Sequence, residues 1–548
     1  MASGDEAGRC AWRGEDMSDT PGTSSSSGAH DRSTGLTFSK GRWIDGWDPE
    51  DTVQWERGGQ KIARRNLGFS IYAEFLGFVV WQLWSVVVVF LPRYGFDFDT
   101  NQVFWLISLP LLVGATLRFP YTFMVAKIGG RNWTIVSAAL LLIPTIAMTF
   151  AISNHPVDGE GGTPYGVMLL VAALGGFGGG NFASSMANIT FFYPQRMKGW
   201  ALGLNAAGGN IGAAVAQFTV PILVMVTATA VFINAAGEEV RTPNLPIAGW
   251  FWIPFIIAAM AGAIWGMHNL RSAKTDFGGY KAALKDPHLW WLSFLYIGTF
   301  GSFIGLAGAF PKLVADQFPS FSVIQIGAAA VTLAFLGPLV GSLIRPYGGK
   351  LADRYGGAYI TVIAFVVMIG AVLAAIQVLS ASRDAMLRRA QEAAASGTSI
   401  EEIEAIAAPS HYFWLFLACF LVLFIATGTG NGSMYKMIPT VFSFRGGAKD
   451  AQRESAGIST ERKIAASLGI VSAIGAYGGF MVPQVFNRAL SMTSDNATAL
   501  DVGDGAVSTA VVDGYQLGLW WLLAAYVVFL ITLVALYVAP YVRRGIRI

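Results

Sequence analysis

Two arginines stand inside runs that are otherwise apolar: Arg118 in "ATLRFPY" and Arg345 in "SLIRPYGG". On insertion scales an arginine at the centre of a membrane span costs roughly 2.5–3.5 kcal/mol, so one kept there is a functional candidate. A guanidinium is planar, permanently charged and able to bond in a fork, which suits a planar oxyanion or a carboxylate. The apolar runs expected around the two arginines carry no acid placed to neutralise them. Two cations without partners want an anion. The alternative is that both lie near the ends of their runs and reach out to water, or brace a loop.

Other polar groups in the apolar runs fit a small anion. Asn205, Asn210 and Gln217 share one run, with Asn210 and Gln217 two helical turns apart on one face, and their amides can donate. Tyr296 and Phe300 in "LYIGTF" are four residues apart and could close a flat pocket. Asn181, Phe182 and Ser184 share "NFASS". Taken singly, an aromatic ring in such a run more often packs than binds. Glu74 in "YAEFLGFVVWQLWS" is a carboxylate inside the first apolar run, and Trp81 and Ser85 continue its face. It is a candidate for proton coupling, or a structural group that bonds across helices or reaches Arg64 and Arg65. Glycines recur at small-xxx-small spacing, as in Gly175 and Gly179, Gly176 and Gly180, Gly208 and Gly212, and Gly475 and Gly479. Such pairs let helices pack closely and slide or rock.

Nothing points to catalysis. HExxH, GxSxG and GxxxxGK[ST] patterns are absent. The five histidines fall at or beyond the ends of apolar runs or in the N-terminal segment, and Cys10 and Cys419 stand in unlike surroundings. No metal site, disulfide or cofactor is expected, and no catalytic residue.

The elements that must hold these residues are helices in a membrane. Of 548 residues 54% are hydrophobic and 13% charged, and mean hydropathy is +0.51; a soluble chain carries about a quarter charged residues. Twelve apolar runs are expected at 67–92, 101–125, 132–152, 165–193, 199–229, 248–268, 287–311, 321–346, 357–380, 411–440, 461–489 and 515–541. The net charge of +3 is too small and scattered for nucleic acid. Lys and Arg concentrate in alternate connections (Arg64 and Arg65, Lys127 and Arg131, Arg196 and Lys198, Arg271 to Lys285, Lys350 and Arg354), while the others are short or acidic. This bias predicts both termini in the cytoplasm. The connection 381–410 departs from it with Arg383, Arg388 and Arg389, and a short surface helix is expected there. The polar segment 1–66, with "GTSSSSGAHDRSTG", reads as a disordered cytoplasmic tail, and "MASGDEAGRCAWRGED" predicts no cleaved signal peptide.

The chain also repeats itself. "RFPYTFMVAKIGGR" from Arg118 is echoed by "RPYGGKLADRYGG" from Arg345, "GGGNFASSM" by "GTGNGSM", and "GLNAAGGNIG" by "SLGIVSAIGAYGG". Each pair lies six runs apart. An all-α membrane protein of two pseudo-symmetric six-helix halves, 67–268 and 287–548, joined by a cytoplasmic linker at 269–286, follows. Parallel halves around a midplane site are a transporter architecture.

The stretches "NFASSMANITFFYP", "ALGLNAAGGNIG" and "LGIVSAIGAYGGF" resemble the signatures of the nitrate/nitrite porter family of the major facilitator superfamily, and "RPYGGKLADRYGG" is similar to the superfamily's less specific loop motif. The resemblance covers roughly residues 65–545. It implies the major facilitator fold, and carriage of nitrate and nitrite across the inner membrane by alternating access, as a nitrate/nitrite antiporter or a nitrate–proton symporter. It further implies Arg118 and Arg345 as the clamp on the anion, Phe182 and Phe300 as walls that sandwich it, Tyr296 and Asn210 as donors, and Gly469 as a close backbone approach. The partners expected are nitrate, nitrite, protons as a candidate coupling ion, and the lipid bilayer around a monomer. The alternatives are a carrier of another small anion such as a carboxylate, or a nitrate sensor without transport.

Overall fold

The computed structural model describes residues 29–31, 35–156, 160–228, 230–233, 239–273, 277–327, 329–396, 408–444, 460–494, 499–502 and 505–542. Among the described residues eleven helices are long and apolar enough to cross a membrane. Counted in chain order, spans 1 to 3 are Gln60–Val87, Thr100–Ile128 and Gly130–Ser153. Span 4 joins Tyr165–Leu174 to Phe177–Phe192, span 5 is Gln195–Val226, and span 6 joins Ile247–Trp250 to Ile253–Gly266. Span 7 runs from Pro287 to Gln317 and contains a π-helical turn at Ile297–Gly301. Spans 9 to 11 are Gly357–Ala395, Ser410–Phe444 and Thr460–Ser494, and span 12 begins with Ala510–Leu533. The twelfth helix, span 8, is Leu336–Tyr355. It is less apolar than the rest because Arg345, Lys350, Asp353 and Arg354 all lie on it. The outer surface carries large exposed apolar side chains such as Phe150, Leu170, Trp265 and Ile363. Lipid tolerates this surface and water does not.

Span 8 departs from the expected 321–346. The apolar stretch before it forms an antiparallel hairpin, β7 (Ile324–Ile326) with β8 (Ala329–Val331). Its β-branched residues favour extended backbone, and Gly327 takes the turn with φ +63°. The helix therefore starts later and continues through "GGKLADRY". As a result Arg345 lies at mid-helix. Arg118 and Arg345 each stand ten residues before the last residue of their helices, Ile128 and Tyr355, about 15 Å at 1.5 Å per residue. That is too deep for either to brace a loop.

Hairpins β4–β5 (Ala230–Ile233, Glu239–Thr242), β7–β8 and β9–β10 (Ala499–Val502, Gly505–Ser508) mark one end of the bundle. The other end carries a four-stranded sheet ordered β1 (Ala29–Asp31), β2 (Leu36–Ser39), β3 (Trp43–Asp45) and β6 (Asn269–Leu270). The segment expected as tail is thus structured at 29–31 and from residue 35 onward. Leu36, Ile44, Trp47 and Trp55 are buried against Phe192, Tyr193 and Leu270 in a separate core, and the Trp47 indole donates to the Phe191 carbonyl at 3.0 Å. The first 28 residues lie outside the described residues. At 381–410, span 9 runs on unbroken to Ala395 rather than forming a separate surface helix, and Arg383 pairs with Asp513 at 3.2 Å. Glu401, Glu402 and Glu404 lie outside the described residues.

The linker holds the helix Phe277–Leu284. Behind it Asp286 caps span 7 by accepting from the His288 N–H at 3.0 Å, and it pairs with Lys463 at 2.7 Å. Burial works against the charged form of Asp286, but Lys463 and the His288 N–H outweigh it and hold the carboxyl below its ordinary range. Polar ties between the halves cluster on the hairpin side of the bundle: Asn487 to Asn101 (2.8 Å), Gln484 to Ser108 (2.9 Å), Gln217 to the Ala307 carbonyl (2.6 Å) and Thr116 with Tyr477 (3.0 Å). Toward the sheet end the corresponding region holds an apolar cavity of about 120 Å³, lined by Phe119, Thr122, Phe123, Tyr280, Leu284, Gly469 and Ile470.

Candidate anion site

The glycine-rich span 4 explains how a guanidinium is held in the bundle centre. A Cβ at Gly179 would stand 2.8 Å from the Gly114 Cα on span 2, so the two backbones touch. That approach brings the Gly179 carbonyl to Arg118, whose Nε donates to it at 3.1 Å. The Arg118 Nη1 crosses to the other half and donates to the Ser472 carbonyl and hydroxyl at 3.0 and 2.9 Å. Its Nη2 is buried without a partner. Arg345 is also buried. Its Nη2 donates to the Tyr296 hydroxyl at 3.3 Å, and its Nη1 is unpartnered. Tyr296 in turn donates to Asn431 at 2.6 Å. Among the described residues neither guanidinium lies within 4.0 Å of a carboxylate.

Both arginines lie over the same two rings. The Arg118 Cζ is 4.6 Å from the Phe182 centroid and 4.9 Å from that of Phe300; Arg345 stands at 5.6 and 5.8 Å. Phe182 and Phe300 face each other at 5.8 Å with 28° between planes. Phe300 belongs to the π-helical turn of span 7, a distortion that often marks functional sites, and its ring stacks on Tyr296 at 5.4 Å. The structure therefore gathers Arg118, Arg345, Phe182, Phe300 and Tyr296 into one buried cluster with two free N–H-bearing nitrogens.

The remaining expected residues lie around this cluster. Asn210 is fully buried, and both its amide atoms lack partners; no hydrogen bond joins it to either arginine. Gly469 lines the apolar cavity toward the sheet end, one turn along span 11 from Ser472. Glu74 accepts from the Asn205 amide at 2.7 Å, and its other oxygen is unpartnered. It lies within electrostatic reach of both arginines. The same Asn205 nitrogen stands 2.6 Å from Ser185, which bonds Ser70 at 2.9 Å. Of the paired glycines, Gly208 and Gly212 pack on span 1, where an added Cβ would stand 2.5 Å from Ile71 and 3.1 Å from the Phe78 Cβ. Gly475 and Gly479 pack on span 7, 3.1 Å from the Tyr296 Cγ and 2.9 Å from Ile304 by the same measure.

Four contributors escaped the sequence reading. Tyr435 lies 5.0 Å under Arg345 and edge-on to Tyr296 at 5.7 Å. Asn431 and Ser472 anchor Tyr296 and Arg118 as described. Gly209 leaves room for Glu74, whose Cγ an added Cβ would approach to 2.6 Å. The repeat carried a signal for two of them. Asn431 aligns with Asn181, and Tyr435 follows at the position that Ser185 holds in the first half.

Twelve helices in two halves, with a buried arginine from each half at the centre, have the architecture of a membrane transporter. Residues 74–448 match the Major Facilitator Superfamily. The chain is 38% identical over 463 residues to the nitrate/nitrite transporter NarU of Escherichia coli (strain K12), covering 83% of this chain and 92% of that protein. It is 34% identical over 457 residues to the probable nitrate/nitrite antiporter NarK2 of Thermus thermophilus, covering 81% and 89%. Among solved structures it is similar in fold to a bacterial homologue of the human lysosomal transporter Spinster in an inward-facing, occupied conformation (TM-score 0.53, 16% identity, 86% of this chain and 94% of that one). The chain belongs to the Major Facilitator Superfamily and, within it, to the nitrate/nitrite porter family.

Proposed function

We propose that the chain is a transporter, not an enzyme, that carries nitrate and nitrite across the inner membrane by alternating access, with both termini in the cytoplasm and the monomer as the working unit. One observation carries this reading. Arg118 and Arg345 come from opposite halves, lie buried over the same pair of rings, have no carboxylate within 4.0 Å among the described residues, and each keeps one Nη free. A planar anion takes both free nitrogens and leaves its faces to the rings. Phenyl faces in contact with a flat ion at about 3.5 Å on each side stand roughly 7 Å apart. Loading therefore parts Phe182 and Phe300 from 5.8 Å. A tetrahedral anion would part them further, so the slot selects for flatness.

The Lys and Arg bias supports a cytoplasmic sheet end. In that orientation the polar ties on the hairpin side lie on the outer path and the apolar cavity below the arginines on the inner one, which supports an inward-open reading. Obligate exchange needs no proton site. Glu74 favours a second mode, nitrate–proton symport, because a buried carboxylate with one free oxygen sits within reach of both arginines. Proteoliposome uptake, with internal nitrite and an imposed pH gradient varied independently, tests both modes. Uptake that follows internal nitrite alone identifies exchange, and uptake that follows the pH gradient identifies symport. Uptake blocked by carboxylates and indifferent to nitrite would refute the proposed substrate.

A further inference from the structure

Three arginines converge at the sheet end on the last turn of span 6, far from the central clamp. Arg42 precedes β3 and is the only described non-glycine residue with positive φ, +59°. That strained conformation turns its side chain onto span 6, where Nη1 donates to the Trp265 carbonyl. Its Nη2 lies 3.3 Å from the His268 Nε2, and its Nε is buried without a partner. Arg65 places Nη2 at 3.3 Å from both ring nitrogens of His268. Arg131 donates from Nε and Nη2 to the Ile264 carbonyl at 3.2 and 2.9 Å, and from Nη1 to Asn132 at 3.1 Å and the Gly41 carbonyl at 3.4 Å. The bonds to Ile264 and Trp265 are the usual satisfaction of helix-terminal carbonyls by cations.

Acceptors nevertheless fall short of donors here. Burial first, then the fields of Arg42, Arg65 and Arg131, push His268 down to about 3, so its ring is neutral. A neutral imidazole has one acceptor nitrogen, and two guanidinia point at it. Asp45, the acid on β3, is paired with Arg271 at 2.9 Å. No described carboxylate lies within 4.0 Å of Arg42, Arg65 or Arg131. Three positive charges thus share one acceptor-poor corner. The Trp265 side chain beside it is 74% exposed, as suits an indole at the boundary between lipid tails and headgroups. We propose that this corner is a binding site for a phosphate group, placed to take the headgroup phosphate of an anionic lipid whose tails lie along span 6. Basic pockets at the ends of spans hold such headgroups. Bound there, the phosphate ties β3, span 1 and span 3 to the end of span 6 and holds the N-terminal sheet on the bundle.

The test uses the full chain purified in neutral detergent. Its thermal unfolding is followed with added phosphatidylglycerol, phosphatidylcholine of the same tails, or inorganic phosphate. A saturable rise with phosphatidylglycerol alone is expected. An equal rise with millimolar inorganic phosphate would keep the site and overturn the lipid as its source. Arg65→Gln removes the arginine whose hydrogen-bond contacts among the described residues are to His268 alone. It should raise the half-saturating lipid concentration at least tenfold against its own baseline, with partial recovery in Arg65→Lys. Arg64→Gln, next in sequence and outside the cluster, should behave as the wild type. An equal rise with phosphatidylcholine, or the same response in Arg65→Gln as in the wild type, overturns the proposal.

Discussion

Arg345→Lys separates charge from geometry at the anion site. Arg345 is the cleaner of the two arginines to perturb, because among the described residues its one hydrogen bond is to Tyr296 at 3.3 Å. Arg118 also holds the halves together through Ser472. Lysine keeps the positive charge but offers a point where the guanidinium offers a fork. It cannot satisfy Tyr296 and the anion along the two directions that Nη1 and Nη2 occupy, so one charge-assisted hydrogen bond is lost. Such a bond contributes about 1.5–3 kcal/mol, which is roughly 10- to 150-fold in dissociation constant. Arg345→Gln removes the charge as well and leaves a desolvated anion half unpaired, a loss of about 3–5 kcal/mol. Nitrate titration of the purified variants, with nitrite-loaded proteoliposomes matched for protein content, measures both. The expected order is wild type, then Lys, then Gln, with Lys at least tenfold weaker than wild type. Binding by Arg345→Lys within threefold of wild type would refute the fork, and equal losses in Lys and Gln would show that geometry alone matters.

Phe182→Ala and Phe300→Ala should each weaken nitrate binding and admit sulfate, read as sulfate competition against nitrate uptake; unchanged selectivity would reduce the rings to packing. Tyr435→Ala removes the ring under Arg345, a cation–π contact of about 1–2 kcal/mol when desolvated, so nitrate affinity should fall about 5- to 30-fold. Gly212→Val and Gly479→Val wedge spans 5 and 11 away from spans 1 and 7, and should bind nitrate yet exchange it slowly. Gly475→Val, set against Tyr296, should also lose affinity, and full exchange rates in all three would contradict a role in rocking. Glu74→Gln should keep nitrate/nitrite exchange and lose uptake driven by a pH gradient; pH-driven accumulation by this variant would clear Glu74 of coupling.

The pair of buried arginines was legible because an arginine in an apolar run is a local anomaly. Its recurrence at matched points of the repeat turned two anomalies into one site. Hairpin β7–β8 was not legible, since Val323, Ile324, Ile326 and Val331 are as apolar as a helix start and only Gly327 hinted at a turn. The sheet at the N-terminal segment was hidden for the opposite reason. A serine- and glycine-rich stretch dominated the composition, while the apolar residues that dock it (Leu36, Ile44, Trp47) are few and find their partners in span 4 and after span 6. Ser472 and Gly209 act through contacts made across helices, one with Arg118 and one with Glu74. No pattern within their own runs reveals such contacts.

The symmetry of the site is broken at its acid, and charge counting shows what the break allows. The two arginines contribute two positive charges and ionised Glu74 one negative, so the empty site carries one net positive charge. Nitrate brings it to zero. Nitrate together with a proton on Glu74 returns it to one, while a proton without nitrate raises it to two. A buried net charge is costly to move through a closed state, and the cost climbs with its size. The doubly positive form, protonated and empty, is therefore the one least able to pass, which blocks proton leak. The empty deprotonated form and the form loaded with both nitrate and a proton carry equal charge, so a one-to-one symport cycle meets the same barrier in each direction. The neutral form, nitrate without a proton, crosses most easily, and shuttling through it alone is exchange. On this count the proposed constellation is compatible with both modes, with the proton on Glu74 as the proposed selector, provided that the empty deprotonated form does not return after nitrate has crossed alone. For the same reason Glu74→Gln, fixed in the protonated-like state, still moves when loaded but loses its empty return, which confines it to exchange.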